Sequence, residues 1–134
     1  MILLDTHTLI WWISDRKKLS RTALAKINAA AETTSIYISP ISIWEIAMLV
    51  EKKRLELTID VQTWVNKIVN LPMIQLTKLD HQVLLRSVLL SKPSGIAHND
   101  PVDRMLVATA IQLNIPLISK DRRLAKYPGV KIIW

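Results

Sequence analysis

The stretch Met1-Ile-Leu-Leu-Asp5 sets the starting point of the fold, because four apolar residues run directly into a carboxylate. Four residues are too few for a helix, so the run predicts a short buried strand that ends at Asp5. An unpaired charge is costly to desolvate. Asp5 is therefore a candidate functional residue, and a turn or helix cap is the structural alternative.

Three further acids stand in comparable surroundings. They are Glu45 in Ser42-Ile-Trp-Glu45, Asp103 in Asp100-Pro-Val-Asp103, and Asp121 after Ile118-Ser-Lys120. All four acids lie far apart in sequence, but each could reach the same edge of a parallel sheet. Crowded carboxylates repel one another and resist desolvation, so such a cluster requires a hard cation such as Mg²⁺ or Mn²⁺. A metal-dependent nuclease is therefore the leading hypothesis.

Each of these acids also has a structural explanation. Ser42 and Glu45 have the spacing of a capping box, in which the glutamate bonds back to the cap residue's amide. The aspartate and proline at 100 and 101 are typical of a helix start, so Asp100 is expected to be a cap or an outer-shell group and Asp103 the metal ligand. Asp121 fits a solvated turn equally well.

Short apolar runs alternate with helical patterns along the rest of the chain. Strands are predicted at Met1–Leu4, Ser35–Ser39, Met73–Leu76, Pro116–Ser119 and Val130–Ile133. Helices are predicted after a Ser20 cap, from Pro40 to Val50, from an Asp60 cap to Val69, from Leu79 to Leu90, and from Asp100 through Ile111, with a loop at Lys92–Gly95. This alternation indicates a three-layer α/β/α sandwich with a central parallel sheet, in a single domain over residues 1–134. Ligands of such sheets bind beyond the carboxyl ends of the strands.

The chain is basic, with 18 Lys and Arg against 11 Asp and Glu and a formal charge of +7. If the four acids share one site, seven acids remain against eighteen bases, so about +11 surrounds an acidic pit. Such a surface attracts a polyanion such as RNA or DNA. The alternative is that Lys and Arg merely solvate the helix faces.

Neither a signal peptide nor a membrane helix is expected, because Asp5 and His7 interrupt the first apolar stretch and no basic leader precedes it. The lack of cysteine excludes disulfides and Cys-ligated zinc, and it fits a cytoplasmic protein.

The histidines and tryptophans carry weaker signals. His7, His81 and His98 lack the spacing of a zinc site and are expected to be structural or on the surface. The tryptophans at 11, 12 and 44 could stack on bases, but their apolar surroundings favour the core.

Four blocks of the sequence resemble the PIN-domain ribonucleases, specifically the VapC toxins of type II toxin–antitoxin pairs. The blocks are Leu3–Trp12, Ser39–Ala47, His98–Ala110 and Leu117–Asp121, in this order along nearly the whole chain. Val102 stands where related sequences usually carry a bulky aromatic residue, a change that affects packing more than chemistry.

The resemblance implies that Asp5, Glu45, Asp103 and Asp121 match the family's acidic quartet, which binds Mg²⁺ or Mn²⁺ and activates water for RNA cleavage. It also implies a homodimer inhibited by a cognate VapB-type antitoxin. Thr6, Ser119 and Asp100 are candidate outer-shell residues. Candidate contacts to the RNA backbone are Arg104, Lys120, Arg122 and Arg123.

Two other functions remain open. A noncatalytic PIN-like module would use its basic face to bind nucleic acid or protein, although the complete acidic quartet disfavours it. A Mg²⁺-dependent phosphatase would be expected to carry an Asp-x-Asp pair after the first strand, whereas Thr6 and His7 follow Asp5.

Overall fold

The structure of the protein is a computed structural model that describes residues 1–91 and 100–134. Over these residues, five parallel strands form one sheet in the order β3-β2-β1-β4-β5. The strands are β1 (Ile2–Leu4), β2 (Ile36–Ile38), β3 (Ile74–Leu76), β4 (Leu117–Ile118) and β5 (Ile132–Ile133). Each lies within a predicted strand segment. The predicted loop at Lys92–Gly95 and His98 lie outside the described residues.

The strand order reverses beside β1. The chain builds outward from β1 to β2 and β3, then returns to place β4 on the other side of β1. Leu3 pairs with Leu117 and Leu4 with Ile118 across the reversal. The backbone amide of Asp5 continues this ladder by donating to the carbonyl of Ile118 over 3.1 Å. The edge beyond these two strands is where open α/β sheets bind their ligands.

The helices are α1 (Thr6–Ser14), α2 (Arg21–Glu32), α3 (Pro40–Glu51), α4 (Val61–Val69), α5 (His81–Leu89) and α6 (Pro101–Leu113), with 3-10 turns at Arg16–Lys18 and Arg122–Lys126. The caps predicted at Ser20, Asp60 and Asp100 are confirmed, since each side chain accepts a bond from a backbone amide of the first turn. Among the described residues, no helix is long and apolar enough to cross a membrane.

Two local predictions differ from the structure. The sequence predicts no helix over the segment of α1, because apolar residues and threonines occur at almost every position and show no 3.6-residue period. The capping box is wrong: Ser39 caps α3 by accepting from the amide of Ile41, and Ser42 lies buried inside the helix. Proline at the first helical position fixes the cap at Ser39, three residues before the cap that the capping box predicted.

The core lies on both faces of the sheet, as expected for the predicted sandwich. Side chains alternate along a strand, so Ile2 and Leu4 pack with α1, α2 and α4, whereas Leu3 packs with α6. Leu117 and Ile118 divide in the same way between the two clusters. The layers therefore hold the carboxyl ends of β1 and β4 side by side.

Candidate active site

A cleft of about 370 Å³ opens at the carboxyl edge of the sheet. It is lined by Asp5, His7, Trp11, Glu45, Asp100, Asp103, Lys120, Asp121 and Arg123. The four acids predicted to converge therefore line one cavity, although up to 116 positions separate them in the chain. Folding has placed them where the strand order reverses.

Asp5 lies at the end of β1 and is only 9% exposed. Asp5 occupies the N-cap position of α1, as the structural alternative predicted, but its side chain makes no cap bond to that helix. Instead, the buried hydroxyl of Ser119 donates to Oδ2 of Asp5 at 2.6 Å. Burial raises the pKa of Asp5, and the bond from Ser119 opposes that rise. The carboxylate is thus fixed in position but poorly solvated.

Glu45 reaches the cleft from the second turn of α3. Burial raises its pKa, a hydrogen bond with the side chain of Thr6 lowers it, and the charge of Asp5 raises it again. Oγ1 of Thr6 also lies within hydrogen-bond distance of Oγ of Ser42, at 3.0 Å, and both residues are buried. Thr6 therefore connects the first turn of α1 to the face of α3 that carries Glu45.

Asp100 and Asp103 enter from the start of α6. Oδ1 of Asp100 accepts from the amides of Val102 at 2.9 Å and Asp103 at 3.2 Å, so the predicted capping role is confirmed. Burial and, in decreasing order, the charges of Asp100, Asp5, Asp121 and Glu45 together raise the pKa of Asp103 to about 8. The four acids that surround Asp103 therefore make its ionised form unfavourable without a cation.

Asp121 follows β4 and begins the 3-10 turn. Its Oδ1 accepts from the amide of Arg123 at 3.0 Å, and its Oδ2 pairs with the Arg123 guanidinium at 2.7 Å. The amide of Asp121 donates to Oγ of Ser119 over 3.1 Å, so Ser119 joins Asp121 to Asp5. The turn expected at this position is confirmed, and it faces the cleft.

Comparison with known proteins agrees with this geometry. The family model of the PIN domain matches residues 2–130. The chain belongs to the PIN-domain family. It is 33% identical over 135 residues to Ribonuclease VapC22 of Mycobacterium tuberculosis, which covers 99% of this chain and 98% of that protein.

Solved structures share the fold of this PIN domain at low sequence identity. VapBC2 from Rickettsia felis, bound to a DNA fragment from its promoter, has a TM-score of 0.74 at 16% identity and covers 99% of this chain and 98% of that one. FitAcB from Neisseria gonorrhoeae has a TM-score of 0.70 at 20% identity and covers 100% and 97%.

The donor set of the PIN domain suits a hard divalent cation, because carboxylate oxygens are the ligands that Mg²⁺ and Mn²⁺ prefer. In the present conformation, no three acidic, histidine or cysteine side chains among residues 1–91 and 100–134 stand close enough to hold one ion. Arg123 pairs with Asp121 at the wall of the cleft, so its guanidinium would compete with a cation for that carboxylate.

The basic residues predicted to contact RNA fall into two groups. Lys120 and Arg123 line the cleft. Arg104 does not: its Nε donates to the carbonyl of Ser87 at 2.8 Å and its Nη2 to that of Val88 at 2.9 Å. Arg104 therefore holds the last turn of α5 against α6, away from the wall of the cleft, and its contact with RNA stays a prediction. Arg122 is exposed and is absent from the cleft wall.

The tryptophans considered as core residues differ in how far they are buried. Trp12 is buried in the core as expected, but Trp44 is 54% exposed, so the core prediction for Trp44 is wrong. Trp11 is half-buried and lines the cleft, with Nζ of Lys120 lying 5.8 Å from its ring centroid. Sequence analysis also did not place His7 at the site. Its position one helical turn before Trp11 was the available signal, and the two rings lie 5.8 Å apart.

Proposed function

We propose that this chain is a divalent-metal-dependent endoribonuclease that acts as the toxin of a toxin–antitoxin pair. The observation that carries the proposal is the cleft in which Asp5, Glu45, Asp103 and Asp121 meet. Identity of 33% to Ribonuclease VapC22 supports ribonuclease activity. Divalent-metal dependence is general among PIN-domain nucleases.

Asp5 and Asp103 are the proposed direct ligands of Mg²⁺ or Mn²⁺, and Glu45 and Asp121 complete the site. When bound, the ion lowers the pKa of water and stabilises negative charge on the phosphate. Asp103 supports this assignment, because burial and the charges of the neighbouring carboxylates raise its pKa to about 8.

The remaining groups of the cleft have supporting roles. Ser119 fixes one oxygen of Asp5, and Thr6 bonds to Glu45, so both hydroxyls orient carboxylates in the manner of outer-shell residues. Lys120 and Arg123 are positioned to hold the RNA backbone, because both line the same cleft as the acids. Asp100 caps α6 and adds charge beside Asp103.

We further propose a VapB-type antitoxin as the regulatory partner and a homodimer as the assembly. The structural neighbours include VapBC complexes, which supports an antitoxin partner. An apolar face on α5 supports a homodimer, because Leu85, Val88 and Leu89 are each at least 60% exposed. An RNA substrate further implies a cytoplasmic location.

The test is RNA cleavage by the purified chain with Mg²⁺, Mn²⁺ or EDTA. Asp5→Asn and Asp103→Asn should fold, retain their RNA affinity within a few-fold and lose metal-dependent cleavage. Full activity in either variant would remove that residue from the mechanism. RNA binding that is unaffected by EDTA, with no cleavage under any divalent ion, would instead support the noncatalytic binding module.

A further inference from the structure

A second groove of about 290 Å³ adjoins the acidic cleft. It shares Glu45 and Asp100 with that cleft, and it continues along α3 through Trp44, Lys52 and Arg54. The two cavities therefore form one continuous path over the carboxyl edge of the sheet. A strand that enters the cleft would pass directly into this groove.

Trp44 is the unusual member of the groove. Trp12 and Trp64 are buried and Trp11 and Trp134 are partly buried, whereas Trp44 is 54% exposed. Exposure of an indole forfeits the large stabilisation that its burial would provide, so an exposed tryptophan beside a candidate active site indicates a binding role. It directly precedes Glu45 on α3, so α3 positions a flat aromatic surface beside the reacting centre.

The two acids of the groove are the ones that it shares with the cleft, and the two cations of its lining lie beyond them, at the end of α3. Lys52 and Arg54 lie at the end of α3 and are exposed. The backbone holds them there through a tight turn, in which the amide of Lys53 donates to the carbonyl of Val50 and that of Arg54 to the carbonyl of Leu49. Two cations close to an exposed aromatic ring form the combination that binds single-stranded nucleic acid.

We infer that this groove binds single-stranded RNA on one side of the bond to be cleaved, with one base stacked on Trp44 and backbone phosphates at Lys52 and Arg54. The inference rests on the proposed function and specifies how its substrate is held. Single-stranded RNA is favoured over a duplex because a base must be unstacked to reach an indole ring. The groove would thereby contribute to the choice of cleavage site.

Single-turnover cleavage of a short oligoribonucleotide tests the stacking contact. Trp44→Leu should raise the enzyme concentration needed for half-maximal rate about tenfold, the effect typical of losing one stacked base, and should change the maximal rate less than threefold. Trp44→Phe retains a ring and should recover most of the affinity. Removing the contacted base from the substrate should cost wild type as much as Trp44→Leu does, and the two losses should not add.

Salt dependence tests the cations. Each lost phosphate contact should reduce the slope of log affinity against log salt by about 0.7 for single-stranded RNA. Lys52→Gln and Arg54→Gln should each show that reduction. Lys26→Gln is the matched control, because Lys26 lies in a cavity with Met1, Ile2 and Pro116 at the opposite edge of the sheet, and it should leave the slope unchanged.

The outcomes separate this inference from the proposed function. If wild type cleaves RNA and Trp44→Leu retains wild-type affinity, the groove is not a substrate site, although the nuclease stands. If Trp44→Leu instead weakens only inhibition by an antitoxin peptide, the occupant is that peptide and the inference is overturned. If no metal supports cleavage but RNA binding still depends on Trp44, the groove is an RNA-binding site, whereas the proposed nuclease and the placement of the groove beside a cleaved bond both fail.

Discussion

Replacing Asp103 with asparagine should stabilise the metal-free protein while abolishing its proposed activity. In the folded chain, burial and the neighbouring acids raise the pKa of Asp103 from its ordinary value of 3.8 to about 8. In the unfolded chain the carboxyl titrates at its ordinary pKa. Between these two values the folded state holds a proton that the unfolded state has lost, so the stability that depends on Asp103 falls as the pH rises.

The magnitude follows from the two pKa values. The free energy of unfolding that is lost through Asp103 is zero below pH 3.8, grows by about 1.4 kcal/mol per pH unit, and stops growing above about pH 8. At pH 7 the upper bound is therefore about 4 kcal/mol. Asp103 is half-buried, and both solvent and the other carboxylates screen it. We expect Asp103→Asn to recover about 1 to 2 kcal/mol at pH 8.

Urea denaturation at pH 5, 7 and 8.5 measures this effect, with EDTA in one series and excess Mg²⁺ in the other. In EDTA, the gap between variant and wild type should widen from pH 5 to pH 8.5. In Mg²⁺, wild type should gain more stability than the variant, because binding to the folded state is linked to its stability.

Asp60→Asn is the control, since hydrogen bonds from Thr63 lower the pKa of Asp60 at the start of α4. The stability that Asp60 contributes should decrease as the pH falls, whereas the stability that depends on Asp103 decreases as the pH rises. If Asp103→Asn proves less stable than wild type at pH 8.5 in EDTA, repulsion among the acids is not a property of this cleft and the argument for a cation loses its main support.

Three smaller perturbations test neighbouring contacts. Ser119→Ala removes the bond to Asp5, so metal affinity measured by calorimetry should fall about tenfold or more; unchanged affinity would show that Asp5 needs no positioning. Arg123→Gln removes the guanidinium that pairs with Asp121, so the metal should bind up to about fivefold more tightly while RNA binds more weakly, and a loss of metal affinity would contradict this competition. Lys53 adopts a left-handed φ of 56° after α3, where glycine is unstrained, so Lys53→Gly should raise the free energy of unfolding by about 1 kcal/mol in urea; no gain would show that the lysine is unstrained.

Local signals explain why most of the fold followed from the sequence. The segment Met1–Leu4 contains β1, and the caps at Ser20, Asp60 and Asp100 begin helices, because apolar runs and short polar caps act within a few residues. The sequence of α1 carried no such signal, because buried residues occur around most of the helix and leave no polar face. The core prediction for Trp44 was wrong for a related reason. Apolar neighbours along the chain do not reveal which face of a helix meets solvent.

The sequence by itself determined the acids, their attachment to strand ends and helix starts, and the basic surroundings that favour RNA. It also carried enough of the family's blocks to indicate the fold. These properties belong to single residues and short patterns, so the sequence alone is enough to recognise them.

Only the tertiary structure decided which groups touch. Ser119 bonds to Asp5 across 114 positions, and Arg104 holds the end of α5 and does not enter the cleft. Trp44 was left beside Glu45 at the surface. Hydrogen bonds act over about 3 Å, whereas a sequence pattern fixes a side chain only to an edge or a face, so partners such as these are set by how the layers pack.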